Sequence, residues 1–499
     1  MTDYTKRMLE GAGFIFVMNI LAAGIGYLLR FTLARNLTTE EFGLFYAAYA
    51  FVFLFVLLKD LGLRDALNKF IPEFQVKKQY DQIKSAMVSV FGIQLALTVA
   101  VTLILFMVSG FLAEHFFHNA SAQFVVRMLA VAFLFSSLGN YAGAIMTGFQ
   151  RMRYYAGTLF SNWLLVFVIT LIFIGLGYGI TAPLMGYLIA PIVISAAGYY
   201  LIVKRVFPEF HRLKTAISGK LVKRIFFFGI PVLLGSFGSM IISYTDTLTI
   251  TYFRTLNEVA LYNVALPIAL MLEHFVKAVV VVLLPMASEL WAKNEGGILR
   301  AGVRLLQKYL FVVVTPFALL MLSFPRVIIN LLFGYKYTEA ALPLQILSLG
   351  IILYSVGLVN TTIFPAIGRP GINVKIILVS AIINLVGNLI LTPIYGIAGA
   401  AAATSLSYLI ILVLASWYQK KLLGTWLPIP DLLKTVICGA VFVLIVNALK
   451  RWLTVNVWAE LAICTAVAFS AYAGLLFLFR IISIGGVKKY LAMLKSARG

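Results

Sequence analysis

Apolar runs of membrane-spanning length recur along this chain with scarcely a charge inside them, and they decide what solvent the chain can fold in. A helix needs about 20 largely apolar residues to cross the hydrocarbon core of a bilayer. Fourteen stretches qualify, centred roughly at 11–35, 42–58, 84–108, 124–148, 156–177, 181–203, 225–251, 259–287, 305–325, 338–364, 372–393, 397–417, 434–450 and 458–479. Backbone groups cannot stay unpaired in lipid, so such segments are helices or strands of a closed barrel. The runs are continuous rather than alternating, which excludes the barrel. With 62% hydrophobic and 12% charged residues, the chain fits no soluble class.

A net charge of +22 invites a nucleic-acid reading. The placement of the charges argues against nucleic acid. If the N-terminus is inside, 31 of the 40 Lys and Arg fall on inner segments, six on outer loops, and three (Arg30, Arg127, Lys277) within spans. An excess of basic residues on short cytoplasmic loops is what orients a membrane protein. Both termini and the basic segments 59–83 and 204–224 are therefore expected on the cytoplasmic side, in contact with anionic membrane lipids. Lys6 and Arg7 precede a full-length span, so that helix is expected to be retained rather than cleaved as a signal. Cys438 and Cys464 fall in spans thirteen and fourteen with no metal-ligand or disulfide spacing, and read as small core residues.

The chain repeats itself at an offset of 217. EFGLFYAA at 41–48 matches EVALYNVA at 258–265, YGI recurs at 178–180 and 395–397, and GFQRMR at 148–153 and GRPGINVK at 368–375 fall in corresponding inner loops at an offset of about 220. Each half holds six spans. An even number gives the halves parallel orientation, related by a pseudo-twofold along the membrane normal. That is a transporter architecture with a site near the midplane. The expected organisation is an N-terminal six-helix lobe at 1–210, a C-terminal six-helix lobe at 211–425, and two added helices with a cytoplasmic tail at 426–499. No connecting segment is long enough for a soluble catalytic domain. No P-loop, HExxH or GxSxG motif is present, so nucleotide hydrolysis by a P-loop and these hydrolase chemistries are excluded. The chain reads as a non-enzyme without a cofactor.

Six motifs in order carry a resemblance: RFTLARNLTTEEFGLFYAAYAF (30–51), LKDLGLRDALNKF (58–70), MTGFQRMRYY (146–155), FGIPVLLGSFGSMIISYTDTLTI (228–250), EVALYNVALPI (258–268), and IGRPGINVK with LILTPIYGIAGAAAATS (367–405). Together they resemble the polysaccharide transport family of the multidrug/oligosaccharidyl-lipid/polysaccharide exporter superfamily. The resemblance spans helices one to twelve. It implies two six-helix lobes forming a V, and flipping of a lipid-linked oligosaccharide across the cytoplasmic membrane. The carrier would be a polyprenyl phosphate or pyrophosphate, and the partners a polysaccharide polymerase or glycosyltransferases. The two extra spans are shared with several members, including lipid II flippases. A cation-coupled drug or metabolite antiporter of the same superfamily is the alternative. It would want acidic lumen residues, whereas the buried set here is mixed and leans basic. A polytopic glycosyltransferase would need acidic metal ligands on a sizeable outer segment, and only Glu40 and Glu41 in a short loop are available.

The candidate site residues are polar groups at membrane depth. Glu273 and Lys277 are spaced i,i+4 on one helix face, in the favourable order. The pair is either a lock between helices or a lumen-facing site, because intramembrane charges default to function. His274 adjoins it and could titrate near neutral pH, or simply pack against a neighbouring helix. Arg30 lies toward the outer end of the first span, with Asn19 three turns away on nearly the same face and Gly26 leaving room between them. Snorkelling of Arg30 to the interface is the alternative. Ser236, Ser239, Ser243 and Asp246 form a polar face on the seventh span, and Ser380, Asn384 and Asn388 another on the eleventh. Arg30 and Lys277 would meet the phosphate, and Asn19, Ser243, Asn384 and Asn388 the sugar hydroxyls. Asp246, Glu273 and His274 are the lumen charges through which H+ or Na+ coupling would run. Asp60 and Arg64 read as an interfacial pair. Pro231, Pro267, Pro316 and Pro343 read as bending points.

Overall fold

The computed structural model describes residues 3–55, 61–280 and 283–482, with side chains for all of these except 3–16, 230–232, 234 and 235. All regular structure among the described residues is helical. Eleven helical segments are long and apolar enough to cross a membrane. Most of the large apolar side chains left exposed, such as Leu444, Leu433 and Ile104, lie on these segments. An outward apolar surface of this extent needs lipid against it.

The helices follow the repeat closely. In the first half they are α1 (Asp3–Asn36), α2 (Thr39–Leu54), α3 (Leu63–Val76), α4 (Tyr80–His115), α5 (Ala122–Gly148), α6 (Met152–Gly175) and α7 (Thr181–Leu201). Then come α8 (Gly219–Phe253), α9 (Leu256–Val280), α10 (Leu283–Ala292), α11 (Gly296–Ser323), the short α12 (Pro325–Phe333), α13 (Ala341–Ala366) and α14 (Pro370–Leu423). The added pair is α15 (Ile429–Trp452) and α16 (Val457–Leu478). Shifting α1 by 217 gives 220–253, within a residue of α8 at Gly219–Phe253. Shifting α3 gives 280–293, which overlaps α10 at Leu283–Ala292. The expected eighth span at 259–287 falls within Leu256–Ala292, which is long and apolar enough to cross a membrane. By the repeat, α10 is the second-half copy of α3. At 59–83, read as a basic loop, the chain forms α3, whose Leu63, Leu67, Phe70 and Phe74 are buried on one face.

The 54-residue α14 could not be one rod. At 1.5 Å per residue it would be about 80 Å long, far beyond the roughly 30 Å hydrocarbon core. Gly396 takes φ +58° and ψ −138°, and the chain folds back there. A Cβ on Gly399 would come 2.2 Å from Leu391 O, and one on Gly387 3.1 Å from the Ala403 Cβ. These are the pairings of an antiparallel hairpin, so spans eleven and twelve are both present in α14. The α1–α2 turn is fixed by a capping box, in which the Thr38 hydroxyl accepts from Glu41 N–H and the Glu41 carboxylate accepts from Thr38 N–H. Such caps are worth about 1 kcal/mol.

By contact grouping the chain forms two compact units, 1–260 and 261–499. This border differs from the 210/211 border of the repeat because α8 packs on α2 and α3. In the first unit, α3, the N-terminal part of α4, the C-terminal part of α5 and the 202–225 segment share one apolar cluster. Lys84 donates to Leu213 O at 2.8 Å, and Lys214 N–H to the Asp81 carboxylate at 3.0 Å. The segments 61–83 and 204–224 therefore lie together at one end of the unit. Positions 43 and 260, copies under the repeat, touch: a Cβ on Gly43 would lie 3.2 Å from Ala260 N. A residue meeting its own repeat partner is what a twofold axis produces.

In the second unit α15 and α16 pack on α11. Cys438, Phe442 and Val446 face Cys464, Ala468 and Tyr472, and the Tyr472 hydroxyl donates to Val312 O at 2.8 Å. The cysteines are buried core residues, as their position in the spans implied. Pro267 and Pro316 do lie inside helices. Pro343 does not bend one: it sits in the first turn of α13, where its missing N–H breaks no helical bond. Pro231 and Asp60 fall outside the described side chains, as does the tail at 483–499.

Candidate functional site

Arg30 is held by aromatic rings. Its guanidinium lies over the Tyr46 ring, 4.2 Å from the centroid, and hydrogen-bonds the Tyr46 hydroxyl. Tyr49 and Tyr187 stand close by, their rings 5.5 Å apart, and Tyr244 of α8 completes the surround. A guanidinium on a ring face gains a cation–π attraction that grows as water is removed. Arg30 is half-buried. Asn19 is exposed on the same helix. The room expected at Gly26 is filled, because the Trp163 ring packs 3.6 Å from where its Cβ would be.

Ser243 is exposed, and its hydroxyl donates back to Ser239 O at 2.8 Å. Asp246, one turn on, is only 1% exposed and stands in a run of buried threonines, Thr245, Thr247, Thr249 and Thr251. Hydroxyls lining that stretch of α8 keep the acid in a polar strip inside an apolar helix. These residues all belong to the first unit.

Glu273 and Lys277 form an ion pair on α9, in the second unit. The two partners differ sharply in exposure. The Glu273 side chain is 9% exposed and the Lys277 side chain 55%. Glu273 lies near the Tyr354 hydroxyl, and Tyr354 in turn packs on Tyr408, with centroids 4.5 Å apart. The acid is thus embedded among helices and the ammonium projects out of the packing. His274 is exposed, with Nδ1 2.7 Å from Leu270 O of its own helix.

The eleventh-span stripe is placed differently from the expectation. Ser380, Asn384 and Asn388 are each 0% exposed. Asn384 Nδ2 donates to Thr404 Oγ1 across the α14 hairpin at 3.1 Å, and Thr392 Oγ1 donates to Asn388 Oδ1. The Asn384 amide ties the two arms together, and Asn388 bonds along its own arm to Asn384 O and Thr392, because a polar group buried in an apolar helix pair is stable only when bonded. Asp60, the expected interfacial partner of Arg64, lies outside the described residues, and Arg64 itself reaches another helix. It donates to the Tyr155 hydroxyl at 3.1 Å and lines a cavity of about 140 Å³ with Asn140, Thr158 and Asn162. Sequence reasoning missed that pocket. The signal was the i,i+4 pair Thr158 and Asn162 inside an apolar span. A buried amide network in the second unit was missed as well: Gln307 donates to Asn360 and to Gln419, the latter at 2.7 Å.

Comparison with known proteins adds lineage to this geometry. Residues 8–291 match the family model described as polysaccharide biosynthesis protein. The chain is 35% identical over 499 residues to an uncharacterized membrane protein, MJ1068, of Methanocaldococcus jannaschii, covering 97% of this chain and 98% of the relative. It is 26% identical over 414 residues to the probable low-salt glycan biosynthesis flippase Agl15 of Haloferax volcanii, covering 81% and 82%. Among solved structures, the lipid II flippase MurJ in an inward closed conformation is similar with a TM-score of 0.76 at 16% identity, over 93% of this chain and 98% of that one. An inward-facing MATE multidrug transporter is similar with a TM-score of 0.67 at 15% identity, over 81% and 98%. These two share the fold. With more than half its length matched by the family model and a 35% identical relative along nearly all of it, the chain belongs to the polysaccharide biosynthesis protein family.

Proposed function

We propose that the protein is a flippase that moves a lipid-linked oligosaccharide from the cytoplasmic to the outer leaflet of the plasma membrane by alternating access, with both termini cytoplasmic. The observation that carries this reading is the Glu273–Lys277 pair, a buried acid holding a half-exposed ammonium within an apolar helix. A pair that only locked helices would bury both partners. Here the cation projects from the packing, where a phosphate can reach it. The family and the relative named as a probable glycan biosynthesis flippase support the same substrate class.

In this mechanism Lys277 and Arg30 bind the phosphate or pyrophosphate of the polyprenyl carrier. Glu273 keeps Lys277 charged and placed until the anion arrives. Asn19, Ser243 and the tyrosines around Arg30 meet sugar hydroxyls and ring faces, while the polyprenyl tail stays in lipid. Asn384 and Asn388, both buried, serve the α14 hairpin, Asn384 across it and Asn388 within one arm. The anionic head group leaves a negative interior, which is downhill by about 2.3 kcal/mol per charge per 100 mV. Asp246, Glu273 and His274 are the groups through which an H+ or Na+ gradient would act.

The test is reconstitution of the full chain into liposomes carrying a lipid-linked oligosaccharide, with the inner and outer pools distinguished by a membrane-impermeant lectin or oxidant. Protein-dependent exposure of the sugar is expected. Transport of a cationic dye without movement of the glycolipid would instead establish the antiporter reading.

A further inference from the structure

We propose a second phosphate-binding site at one end of the second unit, for the head group of an anionic phospholipid. A cavity of about 530 Å³ opens there between the start of α11, the end of α14 and the start of α15. Arg300, Arg304 and Lys308 line it, spaced i,i+4,i+8, so that three cations point from one face of α11. Among the described residues the only acid in the lining is Asp431, and it is committed to Lys308 at 3.1 Å. Arg300 reaches Leu423 O at a long 3.4 Å. Among the described residues Arg304 has no ion-pair partner. The cavity therefore holds two cations more than its own carboxylate neutralises.

The repeat shows that this is not a requirement of the fold. Shifting back by 217, the positions of Arg300, Arg304 and Lys308 are held in the first half by Ile83, Met87 and Phe91. Ile83 and Met87 are buried in an apolar cluster. The second half replaces that packed face with a basic cavity, and the added helices supply part of its wall through Asp431 and Ile481. Its setting suits a lipid. It sits where spanning helices end, with Trp426 exposed beside it under Lys420 at 5.2 Å. Amphipathic rings of this kind mark the head-group level of a bilayer. Basic pockets between helices at that level take phosphate head groups. Two guanidiniums that no carboxylate of the lining neutralises present forked donors that match phosphate oxygens.

Phosphate could come from a lipid or from solution, so the experiment has two arms. The detergent-solubilised full chain is titrated with phosphatidylglycerol and with phosphatidylcholine, and bound lipid is counted by native mass spectrometry. The variant Arg300→Gln/Arg304→Gln is compared with Lys220→Gln/Lys223→Gln, which removes the same charge from exposed positions elsewhere. Thermal unfolding checks that both fold. We expect phosphatidylglycerol to be retained over phosphatidylcholine, about tenfold less well by the arginine variant, and unchanged in the lysine variant. Equal loss in both variants would reduce the effect to general surface charge and overturn the site. In the second arm inorganic pyrophosphate is added. Failure to displace the lipid is expected; displacement, with saturable pyrophosphate binding to the lipid-free protein, would make this a soluble-phosphate site and overturn the lipid assignment. A wild type that retains neither phosphate compound also overturns it.

Discussion

At the scale of single residues, the mechanism rests on Lys277 being needed for its charge. Lys277→Arg should keep partial flipping and Lys277→Met should abolish it, read as sugar exposure in liposomes at equal protein levels. Breaking a truly buried pair costs about 3–5 kcal/mol. With Lys277 half exposed, water can solvate what remains, and the single variant should lose much less stability than that. The double variant Glu273→Gln/Lys277→Met separates chemistry from packing. It is expected to be well folded in detergent and inactive; near-normal flipping would make the pair a helix lock and move the anion to Arg30. At Arg30 the ring and the hydroxyl of Tyr46 can be told apart. Tyr46→Phe keeps the cation–π contact and removes one hydrogen bond to a charged group, worth about 1.5–3 kcal/mol when buried. About a tenfold rise in apparent KM for the glycolipid is expected, with expression unchanged; an unaltered KM would show that the hydroxyl does not position Arg30. The sequence showed Arg30, Glu273 and Lys277, because a charge inside an apolar run stands out against its neighbours. It did not show the tyrosine surround, because Tyr46, Tyr187 and Tyr244 come from three helices far apart in the chain and tyrosine is ordinary in membrane proteins. It misplaced Asn384 and Asn388, because a polar stripe on a helix looks the same whether it faces water or a bonded partner.

At the scale of elements, α3 and α8 meet in a junction that transport must part if the cytoplasmic end is to open. Glu73 of α3 pairs with Arg224 of α8 at 2.9 Å and with Lys77. Arg224 also stacks on Phe70, and Lys69 lies over Phe228 at 4.2 Å. Gly62 has φ +70°, and a Cβ there would lie 2.2 Å from Gly229 O, so neither backbone has room for a side chain at the crossing. Hydrogen bonds from Lys77 and then Arg224 hold the Glu73 carboxyl below its ordinary range. A depressed acid contributes stability above its unfolded pKa of about 4.3, and that contribution is lost as pH falls through the lower folded value. The junction is therefore intact at neutral pH, and its charged part, worth about 0.2–1 kcal/mol for so exposed a pair, fails only in acid. A disulfide between Glu73→Cys and Arg224→Cys should arrest flipping and a reductant should restore it. Undiminished flipping by the oxidised, cross-linked protein would show that this end need not part. The spans themselves were legible, since hydrocarbon dictates length and polarity together. The α3 helix was not, because half of an amphipathic helix is polar and dilutes the apolar signal that marks a span.

At the scale of the whole molecule, orientation sets the direction of work. Segments 61–83 and 204–224 pack together at one end of the first unit, and the charge partition expects that end on the inner side. Lys214→Cys should stay unlabelled by an impermeant thiol reagent in intact cells and react once the membrane is opened; labelling from outside would reverse the topology. If the topology holds, the membrane potential becomes the energy source that can be tested most directly. An anionic head group carrying one net charge outward through 100 mV gains about 2.3 kcal/mol, close to a fiftyfold bias in the leaflet ratio at equilibrium. The protein contributes fixed positive charges, and whether Lys277 and Arg30 move with the substrate decides how much of that bias survives. If they stay in place while the phosphate passes, the full substrate charge crosses the field. If a proton or Na+ at Asp246 or Glu273 accompanies it, the moving charge is neutralised and the bias disappears. Liposomes loaded with potassium and treated with valinomycin set the potential without adding a second gradient. With the cytoplasmic face negative, the fraction of sugar reaching the opposite leaflet should rise, and reversing the potential should lower it. The rise should persist in Asp246→Asn if the potential acts on the substrate alone. A leaflet ratio that ignores the potential but follows a pH or Na+ gradient, and loses that response in Asp246→Asn, would replace electrophoretic export by ion coupling through the buried acid of α8.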